Sequence, residues 1–372
     1  MKFVYFHLMP YTLTQDTGND WPVPNRQFDP EAGRRLYDIY TDSLAYAEEC
    51  GFDWIGTNEH HMSPYGMMAN PNLVVASLIP RTRKIGFAIL GNLLPLLNPI
   101  RVAEEFAMLD VMSGGRVLAG LLRGIPHEYV AYNIPAGESY GRLNEAIKLI
   151  KKAWTSSEPF GWDGEFYQFR AVSIWPKPFQ KPHPRIVMSG SSEPSARLAA
   201  KHQAVLGLSN VLNLQQTKEL IRAYRESAAE HGWTPTKDDV IVGFPCAIAE
   251  DAAEAEETLT AGRQYFRDVL AGGVRTAQKI VLQKTRYYAD ETREKFVDMG
   301  KAAQPTVTSL VDESALFCGT PEMVVDQMKR ARSELEFGTM MLSMKIGNVP
   351  DESITRGMTL FRDRVLPHVR GI

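Results

Sequence analysis

Short apolar runs alternate with longer amphipathic segments along the whole chain. Nearly continuous apolar strands separated by helices indicate a parallel sheet that is buried on both faces. Eight such units favour an α/β fold with one closed (β/α)8 TIM-type barrel over residues 1–372, because the first strand is not followed by the GxGxxG turn of a doubly wound sheet. The eight predicted strands are residues 2–8, 52–58, 84–90, 116–121, 185–189, 204–209, 240–249 and 339–346.

The segments between these strands have the period and the termini of helices. Residues 31–51 end on Gly51, and residues 98–115 end on Gly114 and Gly115. Glycine is the residue that most easily adopts the left-handed conformation that ends a helix. We therefore expect helices to connect the strands, as a parallel barrel requires.

Three segments interrupt the repeat and predict insertions at the C-terminal face of the barrel. Residues 10–30 follow the first strand and are rich in Pro, Asn and Asp. Residues 158–184 have the pattern of a β-hairpin followed by a proline-rich linker. Residues 272–318 are long, polar and weakly periodic, which predicts a mobile lid over a site.

Composition excludes several classes of protein. The 372 residues are 44% hydrophobic and 23% charged, and the formal net charge is -3 with mixed signs, so no nucleic-acid partner is expected. The cysteines Cys50, Cys246 and Cys318 are widely spaced, which predicts neither disulfides nor a zinc site. With no signal peptide and no membrane-spanning run, we expect a cytoplasmic protein without a membrane partner.

The second strand runs directly into Glu59, His60 and His61 in the stretch DWIGTNEHHMSP. Because adjacent side chains on an extended chain point to opposite faces, these three residues are poorly placed to share one ion, and we predict no metal site. His60 remains open to either a functional role or a role in packing. For His61 a hydrogen-bonded packing role is the favoured interpretation.

The stretch MSGSSEPSARLAA places Gly190, Ser191, Ser192 and Ser195 between a strand and a helix. Amides and hydroxyls at a helix start can bind a phosphate, although a serine N-cap followed by proline would explain part of the pattern. Arg123 ends another strand and is the natural cationic partner. A salt bridge from this arginine to Glu128 or Glu138 is the alternative.

These residues together resemble the bacterial luciferase-like flavin monooxygenases. The resemblance rests on EHH after strand two, on LLPLLNPIRVAEEFAMLDVMSGGR followed by RG, and on SGSSEPS after strand five, and it covers roughly residues 1–230. It implies a (β/α)8 barrel that binds a flavin at its C-terminal mouth. The flavin is usually FMN, reduced by a separate reductase.

The resemblance also implies roles for individual residues. His60 would lie beside the flavin ring as the catalytic residue, with Glu59 and His61 fixing the strand end. Leu90, Gly91 and Asn92 would border the ring, and the Leu90–Gly91 peptide would be cis. Leu122 replaces the reactive cysteine of luciferase, and the cysteine and arginine of sulfonate-oxidising members are missing. Binding of the FMN phosphate is implied for Arg123, Gly190, Ser191, Ser192 and Ser195.

The function implied is that of a two-component monooxygenase that uses reduced FMN and dioxygen on a small, mainly apolar substrate. A homodimer or higher oligomer and a diffusing reductase are the expected partners. A deazaflavin-dependent hydride-transfer enzyme and a catalytically silent flavin-binding protein are the alternatives. Candidates for lining the substrate site are His7, Met9, Tyr11, Trp21, Met62, Tyr65 and Met67.

Overall fold

The computed structural model describes residues 1–15, 20–209, 211, 213–284 and 305–372. All eight predicted strands are present, and three further strands accompany them. The strands are β1 Lys2–His7, β2 Trp54–Asn58, β3 Gly86–Leu90, β4 Val117–Gly120, β5 Phe160–Asp163, β6 Gln168–Val172, β7 Ile186–Ser189, β8 Val205–Leu208, β9 Val240–Ile248, β10 Phe317–Gly319 and β11 Thr339–Lys345.

Eight of these strands close into a parallel barrel. The order is β9, β11, β1, β2, β3, β4, β7, β8, and a further pairing of β8 with β9 joins the two ends. On β1, Tyr5 lies opposite Leu342 of β11 and Ile55 of β2. The prediction of a TIM-type (β/α)8 barrel is confirmed.

Helices surround the barrel, and side-chain caps begin several of them. Asp29 and Asn98 each accept hydrogen bonds from backbone amides one turn ahead, with a proline in the first turn. Gly114 ends its helix with φ 68°, as the sequence predicted. The α-helices are α1 Pro30–Glu49, α2 Pro71–Leu78, α3 Pro99–Ser113, α4 Pro126–Ala131, α5 Ser139–Thr155, α6 Glu193–Lys201, α7 Leu214–Glu230, α8 Ala252–Tyr265, α9 Gly272–Lys284, α10 Val307–Asp312, α11 Pro321–Glu334, α12 Asp351–Leu360 and α13 Leu366–Val369.

Shorter turns of helix complete the chain. Two π-helical segments extend α8 and α12 and are Phe266–Leu270 and Phe361–Val365. The 3-10 turns are Asn25–Gln27, Ile79–Arg81, Leu94–Leu96, Ala136–Glu138 and Lys237–Asp239.

Side chains on the barrel strands alternate between two cores. Inward-pointing residues form a compact cluster that fills the barrel and consists of Val4, Ala88, Leu118, Val187, Val205, Ile241 and Met341. Their outward-pointing neighbours, such as Phe3 and Tyr5, belong to the larger core between the strands and the helices. The inward set of positions therefore leads toward the mouth of the barrel.

The predicted insertions differ in outcome. The hairpin is confirmed, because β5 and β6 pair antiparallel within residues 158–184. In residues 272–318 the structure contains α9, α10 and β10, which pairs with the end of β9, so this segment is more regular than its weak period predicted. Its residues 285–304, like residues 16–19 of the first insertion, lie outside the described residues, and the mobile lid stays a prediction.

Two expectations from composition can be compared with the fold. Cys50, Cys246 and Cys318 are all buried free thiols, in agreement with the absence of a disulfide pattern. Within the described ranges, every helix is too short or too polar to cross a lipid bilayer.

The close contact between β3 and β4 generates a prediction. A Cβ atom on Gly120 would lie 2.1 Å from the carbonyl oxygen of Ile89, an atom that cannot move away without disturbing β3. We expect Gly120→Ala to lower the free energy of unfolding by about 1–3 kcal/mol or more, the usual range for overpacking. Chemical denaturation measures this change. Gly137→Ala is the matched control, because no atom lies within 4 Å of the position that its methyl group would take, and an equal loss in both variants would contradict the argument.

Candidate active site

A cavity of about 960 Å³ opens at the C-terminal ends of the barrel strands. This volume is at the upper end of the range for small-molecule and cofactor sites. The described flanks of the third insertion, including Ala271 and Val307, border it. Lining residues that come from the strand ends and the loops after them include Phe6, Leu8, Asn58, Glu59, His60, Leu90, Leu93, Leu121, Leu122, Arg123, Met188, Ser189, Ser191, Ser195, Leu208 and Ser209.

At the cavity wall an arginine lies close to the hydroxyl groups of a tyrosine and two serines. The guanidinium carbon of Arg123 lies 4.1 Å from the centre of the Tyr140 ring. The Tyr140 hydroxyl is 3.1 Å from Ser195 Oγ, which in turn is 2.6 Å from Ser192 Oγ. An arginine and three hydroxyl groups therefore converge at the start of α6, where the helix dipole also favours negative charge.

The alternative roles for these residues were an N-cap for the serine and a salt bridge from Arg123 to Glu128 or Glu138. Ser192 occupies the N-cap position of α6, but its side chain makes no capping hydrogen bond. Its hydroxyl is instead within the cluster. Glu138 pairs with Arg142 at 2.7 Å, and Glu128 lies within 3.1 Å of two histidines. The acidic residues proposed as alternative partners of Arg123 thus have other partners.

His60 also borders the cavity. Its Nδ1 atom lies 3.1 Å from Oε1 of Glu128, and its side chain is 15% exposed. The edge of its ring meets the Tyr65 ring at a centroid distance of 4.5 Å. The imidazole is therefore held by one carboxylate and one aromatic ring while remaining accessible from the cavity.

Glu59 and His61 form a separate buried clamp behind His60. His61 Nε2 is 3.0 Å from Glu59 Oε1, and the other oxygen of Glu59 accepts a hydrogen bond of 3.1 Å from the amide of Leu93. The Tyr132 hydroxyl lies 3.1 Å from His61 Nδ1. These contacts join the end of β2 to the loop after β3, although Glu59 also borders the cavity.

Glu128 is a fully buried carboxylate on α4. Burial alone would raise the pKa of this carboxyl, but contacts with His127 and His60 lower it to about 2. Burial lowers the pKa of His127. His60, His127 and Glu128 offer three ligand atoms within 4.8 Å of one another, a spacing that could also hold a metal ion. The prediction of no metal site concerned Glu59, His60 and His61, whereas this group combines His60 with two residues of α4.

Comparison with known proteins identifies the family. The profile described as luciferase-like monooxygenase matches residues 22–335. The chain belongs to the luciferase-like monooxygenase family. The alpha chain of alkanal monooxygenase from Photorhabdus luminescens is 25% identical over 327 residues, which are 87% of this chain and 89% of that protein. The resemblance and the assignment to an enzyme family of flavin-dependent monooxygenases are confirmed.

Solved structures show how widely this fold is shared. Monooxygenase RslO1 from Streptomyces bottropensis superposes with a TM-score of 0.77 and 26% identity, covering 99% of both chains. The oxygenating constituent of 3,6-diketocamphane monooxygenase from Pseudomonas putida, in complex with FMN, has a TM-score of 0.76 and 20% identity over 99% of this chain and 98% of that chain. An F420-dependent secondary alcohol dehydrogenase has a TM-score of 0.70 and 19% identity over 99% of each.

One expectation from the resemblance is wrong for this luciferase-like monooxygenase. The cis peptide bonds among the described residues all precede proline, and the Leu90–Gly91 bond is trans. A non-prolyl cis bond costs about 3–4 kcal/mol, so trans is the ordinary state. Gly91 is explained by local packing, because a Cβ atom there would lie 2.6 Å from Cγ of Pro71.

Two other residues assigned to the flavin lie away from the cavity wall. The side chain of Asn92 exchanges hydrogen bonds of 3.0 Å with Asn72, a buried amide pair at the start of α2. Gly190 packs against β8, where an added Cβ would lie 2.2 Å from Cδ1 of Leu206. Both positions shape the strand ends and do not line the cavity. Gly91 and Ser192 do not line it either, whereas Leu90, Arg123, Ser191 and Ser195 do.

The candidates for lining the substrate site are placed differently from the expectation. Tyr65 lines the cavity, but His7, Met9, Tyr11, Trp21, Met62 and Met67 do not. For His7 the reason is the alternation of side chains on β1, because Phe6 and Leu8 point inward and line the cavity. His7 points outward, and its ring centre lies 4.6 Å from that of Tyr40. Tyr11 donates to the Gln27 carbonyl, and Met62 is 47% exposed at the surface.

Sequence reasoning missed several cavity residues that do not follow a barrel strand. Tyr140 lies in the first turn of α5, Glu128 in α4, and Phe266 after α8. Phe266 contacts Tyr65 with ring centroids 5.0 Å apart. Polar residues that follow a strand can be recognised in the sequence, but Tyr140 and Glu128 lie on helices. The π-helical turn at Phe266 has no signature in the hydrophobic period.

The outward position of His7 predicts a pH effect on folding. Burial and the nearby Lys345 lower its pKa to about 3, whereas an unfolded histidine titrates near about 6.5. Below that pH the unfolded chain gains a proton that the native state does not bind, so stability falls as the pH decreases toward 3. Between about pH 6.5 and 4.5 this effect lowers the free energy of unfolding by about 2–3 kcal/mol. His7→Asn should abolish that part of the pH dependence.

Urea denaturation at several pH values measures this effect. His368→Asn is the control, because His368 is exposed on α13, and it should leave the slope of stability against pH unchanged. If His7→Asn has the same slope as the unsubstituted protein, His7 is not a source of the acid sensitivity.

Proposed function

We propose that this luciferase-like monooxygenase is the oxygenase component of a two-component system that uses reduced FMN. The observation that carries the proposal is the cluster of Arg123, Tyr140 and Ser195 on the wall of a mainly apolar cavity that also contains His60, with the Ser192 hydroxyl directly beside Ser195. FMN has the matching parts, a phosphate at one end and a large flat ring at the other. The FMN complex of the structurally similar diketocamphane enzyme supports this choice.

The phosphate subsite is suited to a doubly charged group. Arg123 supplies a permanent positive charge, and the Tyr140 ring restricts the position of its guanidinium. Hydroxyls of Ser192 and Ser195 can turn their hydrogens toward an anion, because a hydroxyl both donates and accepts. In this proposal Ser191, which also lines the cavity, contributes through its position at the same turn.

Reduced flavin, when bound, supplies the activation of dioxygen that protein side chains cannot perform. The contribution of the chain is to hold the flavin, exclude water and move protons. Leu90, Leu121 and Met188 present apolar surface at the strand ends, which keeps water from the reacting groups. His60 is the group in the cavity best suited to accept or donate a proton near neutral pH.

The same cavity supports a small and mainly apolar substrate. Space for it adjoins Phe6, Leu8, Tyr65 and Phe266, whose side chains are aliphatic or aromatic. A separate reductase would deliver reduced FMN by diffusion or by a transient contact. A cytoplasmic location and a homodimer or higher oligomer complete the proposal.

A deazaflavin-dependent hydride transfer is the second candidate, because an F420-dependent dehydrogenase has the same fold. The two functions differ in their use of oxygen. Identification of co-purified flavin by mass spectrometry, followed by oxygen uptake with reduced FMN and a panel of substrates, separates them. Uptake coupled to product formation supports the monooxygenase, and turnover without oxygen uptake supports the hydride-transfer enzyme. Tight flavin binding without any turnover would indicate a silent flavin-binding protein.

The phosphate subsite generates a prediction about cofactor affinity. Arg123→Ala should weaken FMN binding at least about tenfold, because a charge-assisted hydrogen bond contributes roughly 1.5–3 kcal/mol. Riboflavin, which lacks the phosphate, should bind almost equally well to both proteins. Fluorescence titration measures both affinities.

Arg142→Ala is a suitable control for this experiment. Arg142 lies near the same rim but pairs with Glu138 at 2.7 Å and does not line the cavity. Its replacement should leave FMN affinity within about two-fold. Equal weakening of FMN and riboflavin by Arg123→Ala would rule out the phosphate assignment.

Adjacent histidines give a second prediction. His60→Ala should leave FMN affinity within a few-fold and slow product formation on the order of a hundredfold, the usual contribution of a general acid or base. His61→Ala should lower the melting temperature, because it removes contacts to Glu59 and Tyr132 in a buried clamp. Should His61→Ala abolish turnover in a well-folded protein while His60→Ala retains it, the two roles are exchanged.

A further inference from the structure

Glu128 is an unusual residue in this cavity because it is a charged side chain with no exposure to solvent. Its carboxylate is 0% exposed, and it is reached by imidazoles from two different segments. Nδ1 of His60 lies 3.1 Å from Oε1, and Nε2 of His127 lies 3.0 Å from the same oxygen. A buried carboxylate destabilises a fold unless its charge is compensated, so these contacts require an explanation beyond packing.

The charge of Glu128 determines which atoms carry hydrogen. An ionised carboxylate can only accept hydrogen bonds. Two imidazole nitrogens lie within 3.1 Å of its Oε1 atom, and such neighbours favour the ionised carboxylate in spite of burial. The nitrogen of His60 that faces it must therefore be the one that bears the proton. In a neutral imidazole this leaves the lone pair on the other nitrogen, Nε2.

We propose that Glu128 is a positioning residue that holds His60 as the Nδ1–H tautomer and presents Nε2 to the cavity. This inference rests on the proposed proton-transfer role of His60 and deepens it. In water the opposite tautomer of histidine is the more common one, so the carboxylate reverses the ordinary preference. A histidine set in this way can take a proton from a bound molecule at Nε2 without first rearranging its hydrogen bonds.

His127 supports the same arrangement from the side of α4. It is 0% exposed, and the Trp21 ring meets its ring edge-on at a centroid distance of 5.1 Å. Its Nε2 lies 3.0 Å from the oxygen that faces His60, a close contact without the geometry of a hydrogen bond. The Tyr65 ring, 4.5 Å from His60 on its other side, restricts rotation of the imidazole. The carboxylate and the ring thus define both the tautomer and the orientation.

The proposal can be tested on the flavin-free protein, independently of any reaction. In protein labelled with ¹⁵N-histidine, two-bond ¹H–¹⁵N correlation spectra distinguish the two neutral tautomers. The chain has eight histidines, and the His60 signals are assigned by their loss in His60→Gln. We expect the Nδ1–H tautomer in the unsubstituted protein and a shift toward Nε2–H in Glu128→Leu, which is close in volume and removes the acceptor.

Two further variants separate positioning from folding. Glu128→Gln retains the shape and an acceptor oxygen but loses the charge, so it should fold and show a mixture of tautomers. Glu138→Gln is the matched control, because Glu138 pairs with Arg142 at the rim, and the His60 signals should not change. In turnover with reduced FMN, Glu128→Gln should lower kcat about tenfold, a part of the contribution of a general acid or base, with FMN affinity unchanged.

Several results would overturn the proposal. One is the Nε2–H tautomer for His60 in the unsubstituted protein, and another is an unchanged tautomer in a folded Glu128→Leu variant. Tight binding of one Zn²⁺ that is lost in Glu128→Gln, measured by calorimetry, would show that the cluster is a metal site instead. If the tautomer depends on Glu128 but His60→Ala turns over normally, the positioning holds and the proposed function of His60 fails.

Discussion

The alternation of side chains along a closed parallel barrel is the constraint on which the site depends. Because the interior of the barrel is filled by one set of strand residues, the continuation of that set on β1 leads to the open end. Phe6 and Leu8 continue the inward set on β1, and they line the cavity. His7, one position away, is enclosed between the barrel and α1. On β1, a difference of one residue in register thus decides whether an apolar side chain or a histidine faces the cavity.

Buried carboxylates secure the part of the cavity that carries His60. Glu59 joins β2 to the loop after β3 through His61 and the amide of Leu93. Glu128 comes from α4 and contacts His60 directly. Each carboxylate is expensive to bury alone, and each is compensated by an imidazole. The Glu59–His61 pair therefore restrains the backbone next to His60. The contact with Glu128 restrains the His60 ring.

The same fold occurs in an enzyme that binds FMN and in one that depends on F420. Individual side chains therefore decide the chemistry. A barrel supplies the same cavity for several chemistries, and the fold alone does not choose among them. Arg123 and Tyr140 meet on the cavity wall, whereas His60 contacts the buried Glu128. In the proposed function the first group binds the cofactor and the second moves a proton, so each can be altered by its own substitution.

The sequence by itself determined the barrel, the hairpin insertion and the positions where polar groups follow the strands. These features depend on local period, on glycine and proline, and on residues that are neighbours in the chain. It placed His60 and Arg123 at strand ends and Ser195 near the start of a helix, and the barrel brings all three to one cavity. Tertiary structure alone decided that Glu128 and Tyr140 join them, that Asn92 pairs with Asn72, and that the Leu90–Gly91 bond is trans. These outcomes depend on contacts between segments far apart in the chain, and hydrophobic periodicity carries no information about which of those segments meet.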